Sequence, residues 1–192
     1  MTEYQFKQVD FDNPSFLFKL EDKLKVFLGR FIYKSYIESF DLKGDEHVLD
    51  FGCGGGVESR YIMKNLQGDG QLTCLEISNY FIERAQKRLK KYRNVVFMLG
   101  DIRKLDIPES SFDVICTIHV IHDIAPEERQ DIVNALSQKI KPGGVLYIWE
   151  PIKVSHGMPV EEIRKLLSNS GFKESSYKTT KLTFKGKFLK EN

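Results

Sequence analysis

Three acidic residues, Asp50, Glu76 and Asp101, and two histidines, His119 and His122, are the side chains of this 192-residue sequence best placed to do chemistry. Asp50 stands in VLDFGCGGGVES (48–59), just before a bend in which residues 52, 54, 55 and 56 are all glycine. Glycines permit positive φ and let a ligand approach bare backbone. The helix that follows opens with N–H groups that have no partner within it. Both features suit a nucleotide-like ligand, although many strand-to-helix turns need glycine for conformation alone.

A phosphate-rich ligand is a poor match. GCGGGV supplies the first two glycines of the dinucleotide fingerprint G-x-G-x-x-G, but Val57 stands where the third belongs. The lysine and the serine or threonine of a phosphate-binding P-loop are missing as well. Asp50 beside the bend would oppose a pyrophosphate and attract an ammonium group. Glu76 closes QLTCLEIS, at about the distance downstream where a carboxylate meets a ribose diol. Asp101, in NVVFMLGDIRKL, follows the next apolar run, where it would accept a bond from an exocyclic adenine amine with Ile102 packed on the ring. Three carboxylates, one after each of three successive strands, favour a cationic adenosine-containing cofactor over an anionic one.

The reacting end falls in VICTIHVIHDIAPEE. His119 is a candidate general base, since an unperturbed imidazole titrates near neutral pH. His122 with Asp123 is a weaker acid–base pair, because a helix cap and a surface histidine explain those residues without chemistry. His119 and His122 lack a third ligand nearby in sequence, so no metal is expected.

The elements that must hold these residues follow from periodicity. From residue 47, short apolar runs alternate with longer stretches of three-to-four spacing: HVLDF then VESRYIMKNLQ, QLTCLEI then NYFIERAQKRLKKY, NVVFML, FDVICTIHVI then PEERQDIVNALSQKI, GGVLYIWE then PVEEIRKLLSNSG. This order predicts a doubly wound α/β sheet. FKESSYKTTKL and TFKGKFLK have no helix between them and predict an antiparallel hairpin at one edge, with Lys185-Gly186 as its turn or as a bulge. One domain over 1–192 is expected, with an aromatic-rich helical cap at 14–44 ahead of a core at 45–192. In the cap, Phe16, Phe27, Phe31, Tyr33 and Tyr36 either pack or face a pocket.

Cys53, Cys74 and Cys116 show no CxxC spacing and read as buried, inert thiols. No run reaches the roughly 18 apolar residues of a membrane span. The first residues lack the basic-then-apolar order of a signal peptide, which predicts a cytoplasmic protein. Residues 171–192 hold six lysines against two glutamates. That excess suits an acidic partner or RNA, or simply the wet side of an amphipathic strand pair.

VLDFGCGGG, LEIS with NYFIERAQKRL, GDIRKLDIPESSFDVI and KPGGVLYIWEP together resemble the successive motifs of the class I S-adenosylmethionine-dependent methyltransferases, over roughly residues 44–192. The resemblance implies a Rossmann-like, seven-stranded, mostly parallel sheet whose last strand is antiparallel. It also implies S-adenosylmethionine as cofactor and S-adenosylhomocysteine as product. Gly52 and Gly54 would lie against the methionine part, Asp50 toward its ammonium, Glu76 with Ile77 at the ribose, and Asp101 and Ile102 at the adenine. In that family the position of His119 often meets the cofactor through its backbone, whatever its side chain.

The acceptor is expected to be a small aromatic or apolar metabolite. IHVIHD lacks the D/N-P-P-Y/F/W segment of nucleobase-amine enzymes, and Cys116 lacks the Pro-Cys setting of cytosine carbon-5 enzymes. Nucleic acid or protein as acceptor, and an inactive cofactor-binding partner subunit, are the alternatives. Oligomeric state is not legible.

Overall fold

The computed structural model describes residue 29 and residues 33–191. Phe16, Phe27 and Phe31 of the expected cap lie outside the described residues. Helix α1 covers 33–38, and Tyr33, Tyr36, Ile37 and Phe40 are buried. The Tyr36 and Phe40 rings meet edge to face with centroids 5.0 Å apart, so these tyrosines serve packing. Two compact units divide the chain between Gly100 and Asp101.

In the first unit, β1 (His47–Phe51), β2 (Gln71–Glu76) and β3 (Val95–Leu99) are parallel, in the order β3-β2-β1. The register sets Asp50 beside Cys74 and Glu76 beside Leu99, so the carboxyl ends of β1 and β2 carry the two acidic residues. Helix α2 spans only Ser59–Ile62, shorter than the 57–67 stretch expected. Tyr61, Lys64 and Asn65 donate to carbonyls three residues back, so the flanks tighten toward 3₁₀ geometry. Helix α3 (Asn79–Leu89) is capped by Ser78, whose side chain accepts from the Phe81 amide, and it buries Phe81, Ile82, Ala85 and Leu89 along one stripe.

The second unit holds β4 (Phe112–Ile118), α4 (Arg129–Lys139), β5 (Ile140–Lys153), β6 (His156–Gly157), α5 (Val160–Asn169), β7 (Phe172–Thr179) and β8 (Thr183–Lys190). β4 and β5 are parallel, β8 runs antiparallel to β5, and β7 returns along β8. The two-residue β6 pairs antiparallel with the end of β5. The chain is therefore α/β and Rossmann-like, its main strands parallel except where the C-terminal hairpin reverses direction. Among the described residues no helix is long and apolar enough to cross a membrane.

The hairpin turn is not at Lys185-Gly186. It lies at 180–182, where the Thr180 hydroxyl accepts from the Leu182 and Thr183 amides. Gly186 is mid-strand, paired with Ile148 and Tyr177. The register shift falls in β7, between Glu174 and Ser176, so Gly186 is not a bulge either. Its glycine serves packing: a Cβ there would lie 2.5 Å from Phe188 Cε2 and 2.9 Å from Phe184 Cε1. Gly186→Val is accordingly expected to lower the unfolding free energy by about 1–3 kcal/mol, read as an earlier urea midpoint at constant m.

On the opposite face of β8 the lysines lie over aromatic rings. Lys185 Nζ is 3.4 Å from the Trp149 ring centre and Lys187 Nζ 5.7 Å from that of Tyr147. Burial, then the charge of Lys178, pulls the Lys185 ammonium below its usual range. These lysines belong to an amphipathic strand pair.

Candidate functional site

In the first unit the glycine-rich turn is tied down from several sides. The Gly52 and Cys53 amides both donate to the Leu75 carbonyl, at 2.8 and 3.1 Å. Glu76, buried at the end of β2, accepts from the Gly54 amide through Oε2 at 2.8 Å. Its Oε1 accepts from Ile77 at 2.8 Å and Ser78 at 3.0 Å. One carboxylate thus joins the turn after β1 to the N-terminus of α3, where negative charge is favoured. Arg88 of α3 donates to the Gly55 carbonyl and secures the far side.

Gly54 has φ +49°, and no atom of the described residues lies within 4 Å of where its Cβ would be. Among the described residues its missing side chain thus meets open space, as a turn that receives a ligand requires. Gly56 differs: its Cβ would sit 3.1 Å from Ala85, so this glycine lets the turn approach α3 closely. Asp50 is buried and accepts from the Ser59 hydroxyl at 2.6 Å. Beneath the turn, hydrogen bonding with Cys74 and then burial push the Cys53 thiol well up. All three cysteines are buried thiols outside any disulfide.

Ile77 is 63% exposed and Leu99 46%. The two apolar side chains stand at the ends of paired strands beside Glu76, with Gly100 donating to the Glu76 carbonyl at 2.9 Å. Leu99 went unnoticed in the sequence because it reads as the last residue of a buried strand.

In the second unit Asp101 is engaged by Arg103. The guanidinium Nε lies 3.0 Å from both carboxylate oxygens, and its terminal nitrogen 2.6 Å from Oδ2 and 3.0 Å from Glu128. Hydrogen bonding to Arg103 holds the Asp101 carboxyl below its usual range. Ile102, expected beside the adenine, is 1% exposed and its side chain belongs to the core.

His119 directly follows β4 and sits in the left-handed region, φ 58°. Its amide donates to the Trp149 carbonyl at 2.7 Å, and its ring packs edge-on to the indole at 5.0 Å. This sharp turn sends the chain into a 3₁₀ turn, Ile121–Asp123, fixed by a residue that the sequence did not reveal. Glu150, on β5 and 0% exposed, accepts from the Val120 and Ile121 amides through Oε1 and lies 2.6 Å from His122 Nδ1 through Oε2.

His122 is buried, not a surface histidine. Burial pulls its imidazole down, but the hydrogen bond and charge of Glu150, with Asp123 behind them, outweigh burial and raise it above the usual histidine value. Buried Arg129 donates to the carbonyls of His122 and Ile124, both at 3.0 Å, and pairs with Glu162 at 2.7 Å. His156 is exposed, yet its Nε2 comes 3.3 Å from that of His122. His122 and His119 stand further apart, with ring centroids 6.4 Å from each other.

The chain is similar to known proteins in sequence and in fold. The carboxy-S-adenosyl-L-methionine synthase of Shewanella loihica is 28% identical over 120 residues, covering 60% of this chain and 48% of the relative. The chain spans between about a third and a half of the length of the curated relatives it matches. Among solved structures, a SAM-dependent methyltransferase from Aquifex aeolicus superposes with a TM-score of 0.70 at 21% identity, over 82% of this chain and 89% of that one. The N-methyltransferase NodS from Bradyrhizobium japonicum, in complex with S-adenosyl-L-homocysteine, gives 0.70 at 16% identity, over 83% and 86%. These likenesses establish the fold. Residues 48–144, half of the chain, match the methyltransferase domain family, and the chain belongs to it.

Proposed function

We propose that this chain binds S-adenosylmethionine and passes its methyl group to a nucleophilic atom of a small, flat or apolar metabolite, releasing S-adenosylhomocysteine. The observation that carries the reading is the join between Gly54 and Glu76: a buried carboxylate fixes a bare glycine turn whose open side meets no atom of the described residues. In this reading Gly52 and Gly54 lie against the methionine part, and Glu76 accepts from the ribose hydroxyls. Asp50, buried behind the turn, favours the ammonium by its charge. Ile77 and Leu99 cover a face of the adenine, and Asp101 accepts from its amine.

The cofactor's sulfonium supplies the electrophilic carbon. What is left to the chain is to place the acceptor in line, exclude water and take a proton where the acceptor carries one. His119 is assigned that last role. The left-handed backbone makes glycine the sharper substitution, because it removes the imidazole and relieves about 1–2 kcal/mol of strain. His119→Gly is expected to keep its unfolding midpoint and its S-adenosylhomocysteine affinity while turnover falls about 100-fold or more. Unchanged turnover across pH would remove the base and leave only a backbone contact.

A second reading rests on the carboxy-S-adenosyl-L-methionine synthase relatives: the cofactor itself would be the molecule altered. One experiment separates the readings. S-adenosylhomocysteine is titrated calorimetrically into the chain, which is then incubated with methyl-labelled S-adenosylmethionine and a cell extract. Label in a small metabolite supports the proposal, and label in RNA or protein changes the acceptor class. A heavier nucleoside that keeps its sulfonium supports the second reading. Binding without any reaction identifies a cofactor-binding partner subunit.

A further inference from the structure

The second unit brings together three side chains that methyl transfer does not use. A carboxylate oxygen can only accept, so the 2.6 Å contact with Glu150 puts a hydrogen on His122 Nδ1. Nε2 is then the atom turned toward the other two groups. It lies 3.3 Å from His156 Nε2 and 3.4 Å from Asp123 Oδ1, and all three atoms fall within 4.8 Å of one another. Ligand atoms about 2.0–2.1 Å from a tetrahedral zinc ion stand about 3.3–3.4 Å apart along each edge, the separation found at both His122 contacts; the remaining edge, between His156 and Asp123, lies within 4.8 Å and closes by up to about 1.4 Å when an ion binds. With a hydrogen on either Nε2 the same 3.3 Å contact is a hydrogen bond between the two rings, and with neither protonated both nitrogens are free to ligate. The rings cross at 88°, each aiming a nitrogen into the same space.

The surroundings are those of a supported site. A buried carboxylate behind a histidine fixes the ring's orientation and tautomer, the usual second partner of a metal-binding imidazole. Glu150 is itself fixed by two backbone amides, and Arg129 holds the His122 carbonyl while Glu162 balances its charge. On the other side, β6 pairs with β5 through His156 with Lys153 and Gly157 with Ile152, which sets the position of the second ring.

We infer that His122 Nε2, His156 Nε2 and Asp123 Oδ1 form a binding site for a first-row divalent cation of the zinc class, with Glu150 orienting His122. Two imidazoles and one carboxylate select zinc, cobalt or nickel over magnesium or calcium. Three protein ligands leave a fourth position for water or a substrate heteroatom, the pattern of reactive and not purely structural zinc sites.

The test reads metal binding alone and so stands apart from the methyl-transfer reading. Zinc and cobalt(II) are titrated into the full chain after chelator treatment. One equivalent is expected to bind, with the strong visible absorption of four-coordinate cobalt and no response to magnesium. His156→Ala changes only a surface residue of a two-residue strand; it is expected to keep the fold and lose at least about 100-fold in zinc affinity. Glu150→Gln, whose amide can donate to Nδ1 and move the ring proton to Nε2, is expected to lose about 10–100-fold. Should that variant not fold, Asp123→Asn takes its place, with a loss of about 10-fold or more expected. Substoichiometric zinc, the weak spectrum of hydrated cobalt, or equal affinity in His156→Ala would overturn the site and leave a proton shared between two histidines.

Discussion

Glu150→Ala is expected to remove about 3–5 kcal/mol of unfolding free energy, the largest stability effect foreseen for this chain. The side chain is 0% exposed and serves three groups at once: the Val120 and Ile121 amides and His122 Nδ1. Its loss strands two backbone donors in the interior, each costing about 1–3 kcal/mol, and leaves His122 without the acceptor that sets its tautomer. Glu150→Gln is the informative partner, because its carbonyl oxygen can still serve both amides. A smaller cost, about 1–2 kcal/mol, is expected for it. Urea unfolding of the two variants checks the ordering, and equal midpoints would show that the amide pair contributes little.

Glu76→Gln is expected to weaken S-adenosylhomocysteine binding by about 100-fold in calorimetry, with a smaller effect on unfolding. In the native chain Oε1 serves Ile77 and Ser78 while Oε2 serves Gly54. An amide has one acceptor end. Keeping the two bonds at the start of α3 turns its NH₂ toward the Gly54 amide, and two donors then face each other. The stranded Gly54 amide costs folding about 1–2 kcal/mol, while losing the charged acceptor proposed for the two ribose hydroxyls costs binding about 3 kcal/mol, hence about two decades in Kd. A change below about fivefold would mean that the turn keeps its shape without the carboxylate.

Much of the fold was legible because strand and helix periods differ sharply here. The apolar runs HVLDF, QLTCLEI and NVVFML match β1, β2 and β3 to within a residue. α2 was overestimated because its flanking residues keep helical geometry but bond three residues back, a distinction that residue type does not encode. Gly186 misled for a related reason: glycine marks turns, but it also marks places where rings need room, and only the positions of Phe184 and Phe188 tell which.

On the site, Glu76 could be found because its spacing from the glycine turn is local to one β-α-β unit. Glu150 and His156 could not. They meet His122 across separations of 28 and 34 residues, and only the pairing of β4 with β5 and β5 with β6 brings them there. In the sequence alone, WEPIKVSHG offers a carboxylate and an imidazole with no sign that they converge.

Trp149, the one indole in the chain, is flanked by the His119 ring edge and by the Lys185 ammonium. Its emission is therefore a native optical probe: no engineered fluorophore is needed to follow events at this end of β4 and β5. Any ligand that moves His119 or displaces Lys185 changes the field around the excited ring, and the colour of the whole protein's fluorescence shifts with it.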